Sequence, residues 1–141
     1  MKVTFAKTLS ANDVGATGSH QAGILVPKAD KELMTFFPVL NPGILNPDAW
    51  ITCIDEFGDE WKFRYVYYNN RLHVEHGTRN EYRLTYLTKF FRRTGAIAGD
   101  SLLFSTTDEA GRYRISLKRK ESPSNGSPGG VIVLQGWRRV H

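Results

Sequence analysis

The sequence has little of what most small-domain chemistry depends on. Of 141 residues one is a cysteine, Cys53, which excludes an intrachain disulfide and a thiolate metal cluster. No apolar run approaches the ~18 residues of a membrane span, and Met1-Lys2-Val3-Thr4-Phe5 lacks the apolar stretch of a signal peptide. These shortages fit a cytoplasmic, reducing compartment and no membrane partner; no small-molecule substrate is expected either. Gly15-Ala16-Thr17-Gly18 is not followed by the Lys-Ser/Thr of a phosphate loop, and Ser101 and Ser105 lack the strand-turn-helix context of an activated serine. What is present is positive charge. Lys and Arg number 19 against 14 Asp and Glu, for a net +5 and a sequence pI near 9.5, a balance that points first to nucleic acid among anionic partners.

The hydrophobic patterning is mostly that of strands. Val3 to Leu9 alternates with period two, and Gly23-Ile24-Leu25-Val26 is a short apolar run closed by Pro27. Leu33, Met34, Phe36 and Phe37 fall at helical spacing, so a short helix is expected within Lys28 to Phe37, bounded by Pro27 and Pro38. Pro38 to Pro47 reads as an ordered loop. Ala49–Asp55 and Glu60–Tyr68 read as a hairpin across Glu56-Phe57-Gly58-Asp59. A polar segment follows from Asn69 to Asn80, then a strand from Glu81 to Leu87 and a second short helix over Thr88 to Thr94. Ser101–Thr106 and Arg112–Lys118 form another hairpin, Ser122 to Gly130 is a flexible loop by composition, and Val131–Leu134 is a last strand. Arg138 and Arg139 are expected in a tail. About seven strands broken by two short helices predict a mostly β (α+β) barrel or sandwich, in one domain spanning 1–141.

Candidate chemistry is sparse. Asp55 with Glu60-Trp61-Lys62 resembles the acidic and lysine set of a metal-dependent nuclease, yet all of it falls at one hairpin turn, where solvated acidic residues are common. His73-Val74-Glu75-His76 spaces its histidines three apart in a polar loop, unlike the i, i+4 pair of a zinc hydrolase. Cys53 sits among apolar strand residues, as a buried small hydrophobe would. No catalytic site and no metal site is expected.

Two segments instead carry base-compatible groups. Leu9 to Gln21 gathers Ser10, Asn12, Asp13, Thr17, His20 and Gln21 among small residues. Asn and Gln match adenine, and Asp accepts from cytosine N4; a plain surface connection fits the same residues. The second is Gly77-Thr78-Arg79-Asn80-Glu81-Tyr82-Arg83. Arg79 and Arg83 can fork onto guanine, Glu81 can accept from cytosine and Asn80 can pair with adenine. A strand beginning at Glu81 would put Glu81 and Arg83 on one face and Tyr82 on the other. A surface salt bridge from Glu81 to Arg79 or Arg83 explains that composition equally well. Lys7, Arg71, Lys89, Arg92 and Arg93 are candidates to neutralise phosphates.

Several stretches together, Leu9-Ser10-Ala11-Asn12-Asp13, Gly15-Ala16-Thr17-Gly18, His20-Gln21, Leu40-Asn41-Pro42, Tyr67-Tyr68-Asn69, Thr78-Arg79-Asn80-Glu81 with Arg83, and Thr94-Gly95-Ala96, resemble the N-terminal effector domain of EcoRII-type restriction endonucleases. Ile97-Ala98-Gly99-Asp100-Ser101-Leu102-Leu103-Phe104 is similar to a Gly-Asp turn in the plant transcription-factor pseudobarrels. The resemblance implies a seven-stranded open pseudobarrel that grips the DNA major groove with an N-terminal and a C-terminal arm. Double-stranded DNA carrying CCWGG (W is A or T) is then the expected partner. Lys7, Ser10, Asn12, Asp13, Thr17, His20, Gln21, Arg71, Arg79, Asn80, Glu81, Tyr82 and Arg83 are the expected DNA-binding residues. No cofactor is expected for binding; Mg²⁺ would serve only a catalytic domain of the same polypeptide outside these residues. Two departures are visible: Tyr82 stands where the relative has lysine, and the loop before Thr78 is longer. A transcription-regulator-like module and, less favoured, a small Mg²⁺-dependent nuclease are the alternatives.

Overall fold

Alternating apolar residues and proline- or glycine-marked turns divide the chain into short strands, and a computed structural model shows how they pair. It describes residues 2–15, 23–120 and 136–141. The elements are β1 (Thr4–Thr8), β2 (Ile24–Val26), α1 (Lys31–Phe36), β3 (Asp48–Ile54), β4 (Glu60–Tyr68), α2 (Asn70–His73), β5 (Glu81–Thr85), α3 (Thr88–Thr94), β6 (Ser101–Thr106), β7 (Arg112–Lys118) and β8 (Trp137–Val140). One sheet holds all the strands in the order β2-β5-β4-β3-β7-β6-β1-β8. Its neighbours are antiparallel except β3 and β7, which run parallel.

The edges of this sheet are β2 and β8, and the fold curls them toward each other. Trp137 Nε1 on β8 donates to the Leu25 carbonyl on β2 at 2.9 Å, with the indole buried. A side-chain hydrogen bond thus stands where a closed barrel would have a backbone ladder, and the result is a mostly β open pseudobarrel.

The interior follows from strand alternation. Ile51 and Cys53 of β3, Phe63 and Tyr65 of β4, Leu84 of β5, Phe104 of β6 and Ile115 of β7 are buried. Asp30 starts α1 by accepting from the Leu33 amide at 3.1 Å, an N-cap of the usual kind. The helix and the residue after it send Phe36 and Phe37 into the barrel. Phe37 meets Tyr65 at 5.0 Å and Trp137 at 5.9 Å between ring centroids. Phe90 of α3 packs edge-on against Trp61 and Phe63.

The expected class holds, with two differences in count: eight strands and three helices among the described residues. Arg138 and Arg139, expected in a tail, lie in β8, which pairs with β1 from Lys7↔Trp137 to Thr4↔Val140. Four residues with two arginines carry no usable period, and a partner about 130 positions earlier in sequence supplies the ladder. The extra helix, α2, is one turn inside the segment read as polar loop. The segment 122–130 and the strand expected at 131–134 lie outside the described residues.

Candidate nucleic-acid interface

The second base-compatible segment is built on the β4–β5 ladder. Glu81 sits opposite Tyr68, Tyr82 opposite Tyr67 and Arg83 opposite Val66. The Tyr67 and Tyr82 rings are parallel, with centroids 4.2 Å apart, and the Tyr67 hydroxyl donates to Asn80 Oδ1. With Tyr82 turned to that stack, Glu81 and Arg83 share the other face, as strand alternation requires. Glu81 Oε1 accepts from Arg79 Nε at 3.0 Å, and Oε2 accepts from Arg83 Nε and Nη2 at 3.1 and 2.9 Å. The Arg79 guanidinium also lies 3.7 Å above the Tyr68 ring centroid, a cation–π contact. The salt bridge that was the rival explanation is therefore real, and it joins Glu81 to both arginines. Burial alone would raise the Glu81 carboxyl, but the bonds from Arg83 and Arg79 outweigh it and hold it below the usual carboxylate range. Two cations around one anion leave the cluster one positive charge.

The same cluster touches the chain just beyond the first segment. Arg83 Nη1 on β5 donates to the Gly23 carbonyl at 3.1 Å, and Arg79 reaches the same Glu81 from the β4–β5 connection, so the β1–β2 and β4–β5 connections meet at this cluster. Beside them is an open concavity of about 360 Å³, lined by Val26, Pro27, Lys28, Asn80, Glu81 and Tyr82 among others.

The 70–79 loop is closed at its base. Asn70 Oδ1 accepts from the Arg79 amide at 2.7 Å, and the Arg71 amide donates to the Arg79 carbonyl at 3.0 Å. Gly77 packs on the Asn70 carbonyl with no room for a Cβ. Arg71, His73 and His76 are exposed; His73 Nε2 lies 2.8 Å from the Pro42 carbonyl oxygen, and His76 faces Glu75 at 3.7 Å.

The start of the first segment forms a knot. Lys7 Nζ pairs with Asp13 Oδ2 at 3.0 Å, and both side chains are about nine-tenths buried or more. The Ser10 amide donates to Asp13 Oδ2 at 2.9 Å, and the Asp13 amide donates to Ser10 Oγ at 3.0 Å. Gly136, at φ +86, leaves room for the lysine: a Cβ there would stand 2.6 Å from Lys7 Nζ. Lys7 is thus an internal cation rather than a surface one, a distinction burial makes and composition does not. Ser10 and Asn12 are exposed. Thr17, His20 and Gln21 lie outside the described residues.

The other chemistry resolves into structure. Asp55 Oδ1 accepts from the Phe57 and Asp59 amides and Oδ2 from Trp61 Nε1, so its carboxylate organises the hairpin turn. Glu60 pairs with Arg112 at 2.8 Å. Cys53 is fully buried and its thiol is pushed up by that burial. Among the surface cations, Arg93 pairs with Asp59 and Arg139 with Glu32. Residue types alone did not reveal the partners of the cluster: Tyr67, Tyr68 and Gly23. The Tyr67-Tyr68-Asn69 stretch marked the region, but their roles depend on the β4–β5 register.

Residues 1–104 match the family described as "Restriction endonuclease EcoRII, N-terminal". The chain belongs to this family. The EcoRII N-terminal match is accompanied by 36% identity over 115 residues to the type II restriction enzyme EcoRII of Escherichia coli, covering 76% of this chain and 27% of that protein. Auxin response factor 4 of Arabidopsis thaliana is 30% identical over 128 residues, covering 91% of this chain and 14% of the factor. The chain therefore spans about a quarter or less of these relatives. Among solved structures, an Arabidopsis FUS3–DNA complex superposes with a TM-score of 0.63 at 22% identity, covering 84% of this chain and 99% of that one. This EcoRII N-terminal domain shares its pseudobarrel fold with the plant protein.

Proposed function

We propose that the domain binds double-stranded DNA and reads a short sequence in the major groove. The observation that carries the reading is the Arg79–Glu81–Arg83 cluster, set where the two connections meet. Arginine forks match guanine O6 and N7, and a carboxylate accepts from cytosine N4, so such a cluster carries the complement of a G·C pair. Asn80, positioned by Tyr67, adds an amide suited to adenine. Surface cations such as Arg71, Lys89 and Arg92 contribute phosphate affinity without sequence information. Ser10, Asn12, Thr17, His20 and Gln21 are assigned to the N-terminal arm, with Lys7 and Asp13 bracing its base.

The finer reading is the effector domain of a restriction endonuclease. The domain recognises CCWGG, has no catalytic site of its own, and leaves cleavage and its Mg²⁺ to a catalytic domain elsewhere in the polypeptide. The family match and the E. coli relative support it. A titration with CCWGG and scrambled duplexes at two salt concentrations tests it. The specific affinity is expected to exceed the scrambled one by ~10³ or more; equal affinities refute sequence reading. Arg79→Ala or Arg83→Ala should cost about 1–3 kcal/mol on the cognate duplex and relax selectivity.

A second reading, a transcription regulator with no nuclease partner, is favoured by the auxin response factor relatives. Cleavage assays on the full-length protein separate the two. Stimulation of cutting by an added duplex carrying the bound site supports the effector role, and binding without cutting supports the regulator.

A further inference from the structure

Asn69 is a polar side chain with no solvent exposure, placed where β4 ends and α2 begins. It is tied to a loop more than twenty residues earlier in sequence. Its Nδ2 donates to the Ile44 carbonyl at 2.8 Å and the Pro42 carbonyl at 3.3 Å. Its Oδ1 accepts from the Asn46 amide at 2.7 Å, while its own amide donates to Asn46 Oδ1 at 3.1 Å. Asn46 adopts φ 49 to make this exchange, a left-handed conformation that asparagine tolerates better than most residues. A further tie joins His73 Nε2 to the Pro42 carbonyl. The next residue, Asn70, holds the Arg79 amide, so the bonds run from the 41–47 loop through Asn69 to the backbone of Arg79.

A buried carboxamide with every hydrogen-bonding group engaged is costly to disturb and fixes one geometry. None of the buried hydrophobic core residues lies in the 41–47 or 70–79 loops. What Asn69 sets is where the 70–79 loop leaves the sheet.

We propose that Asn69 is the positioning residue of the second arm and that the 41–47 loop is its buttress, so that selectivity depends on residues that do not touch DNA. The inference rests on the DNA-reading function above. Asn69→Ala, Asn46→Gly and His73→Ala test it. Asn46→Gly keeps the positive φ while removing one acceptor, and His73 is exposed, so these two variants keep the question open to test if Asn69→Ala does not fold.

Two measurements are needed. Amide hydrogen exchange at Val74 and Arg79 should speed up in folded Asn69→Ala and Asn46→Gly, with the amides of β6 and β7 unchanged. On duplexes, the ratio of CCWGG to scrambled affinity should fall about tenfold, the scale of one or two lost hydrogen bonds. The salt slope should stay at its wild-type value, because no cation has been removed. His73→Ala should act in the same direction, more weakly. Unchanged exchange in the loop overturns the inference whatever the DNA result. Selectivity that survives in variants with a loosened loop overturns it as well. A wild-type protein with loop exchange as expected but no selectivity overturns the DNA-reading function instead, and with it the positioning role.

Discussion

At the scale of single residues, the decisive fact is that one carboxylate holds two guanidiniums. Arg79 reaches Glu81 through Nε, and Arg83 reaches it through Nε and Nη2. Held this way, neither arginine is a freely moving cation available to any phosphate. Glu81→Gln keeps the shape, removes the charge and weakens both bonds. Affinity for scrambled DNA should rise, and the slope of log K against log salt should steepen by up to about one phosphate contact. The advantage of CCWGG should shrink. Titrations of wild type and variant over a salt series measure all three; an unchanged slope with unchanged discrimination would show that Glu81 restrains nothing. The residue types of this cluster were legible from sequence, since composition and strand phase put Glu81 and Arg83 on one face. The partners Tyr68 and Gly23 were not, because each is distant in sequence and brought in by pairing. Lys7 and Asp13 show the converse: their types suggested DNA contacts, and burial turned them toward each other.

At the scale of elements, the most exposed weakness of the fold is the gap between β2 and β8. β2 is only three residues long, and Trp137 bridges to it through one indole N–H. Trp137→Phe would keep an aromatic ring in the core, leave the Leu25 carbonyl without that donor and remove part of the packed volume. The expected cost is about 1–3 kcal/mol, read from the midpoint of urea unfolding, with faster amide exchange in β2. A midpoint equal to that of the wild type would mean that the two edges are held by something else. The strands with clear alternation, β3, β4, β6 and β7, were legible almost to the residue. β8 was not, because in a four-residue edge strand the signal is the partner and not the pattern. α2 was not either: a single turn is set by the bonds around it more than by propensity.

At the scale of the whole molecule, the acid limb of stability is expected to follow the carboxylates that hydrogen bonds hold below their usual range. Asp100 is 1% exposed. Burial pushes its carboxyl up, but bonds from the Ile97 and Lys120 amides and from Arg119 outweigh that and leave it below the usual range. Its folded value is therefore lower than its unfolded value of about 3.9. Below that point the unfolded chain binds more protons, so stability is present above about pH 4 and is lost as pH falls through the folded value. Asp100→Asn should lower stability at neutral pH and flatten the dependence below about pH 4. Denaturant midpoints across that window measure it, and an acid limb as steep as the wild type's would assign the loss to other carboxylates such as Glu81 and Asp55.

By itself the sequence determined the class of the fold, the place of the main turns, the basic balance and the two segments rich in base-compatible groups. These are local properties: period, punctuation and residue type act over a few neighbouring positions. The tertiary structure decided which polar groups face each other. It paired the Arg79–Glu81–Arg83 cluster with Tyr68 and Gly23, spent Lys7 on Asp13, committed Asp55 to its own turn and tied Asn69 to the 41–47 loop. The ties to Gly23 and to the 41–47 loop depend on register and burial, which join residues far apart in the chain. The Lys7–Asp13 and Asp55 contacts span six positions or fewer, and there burial decides which groups face each other.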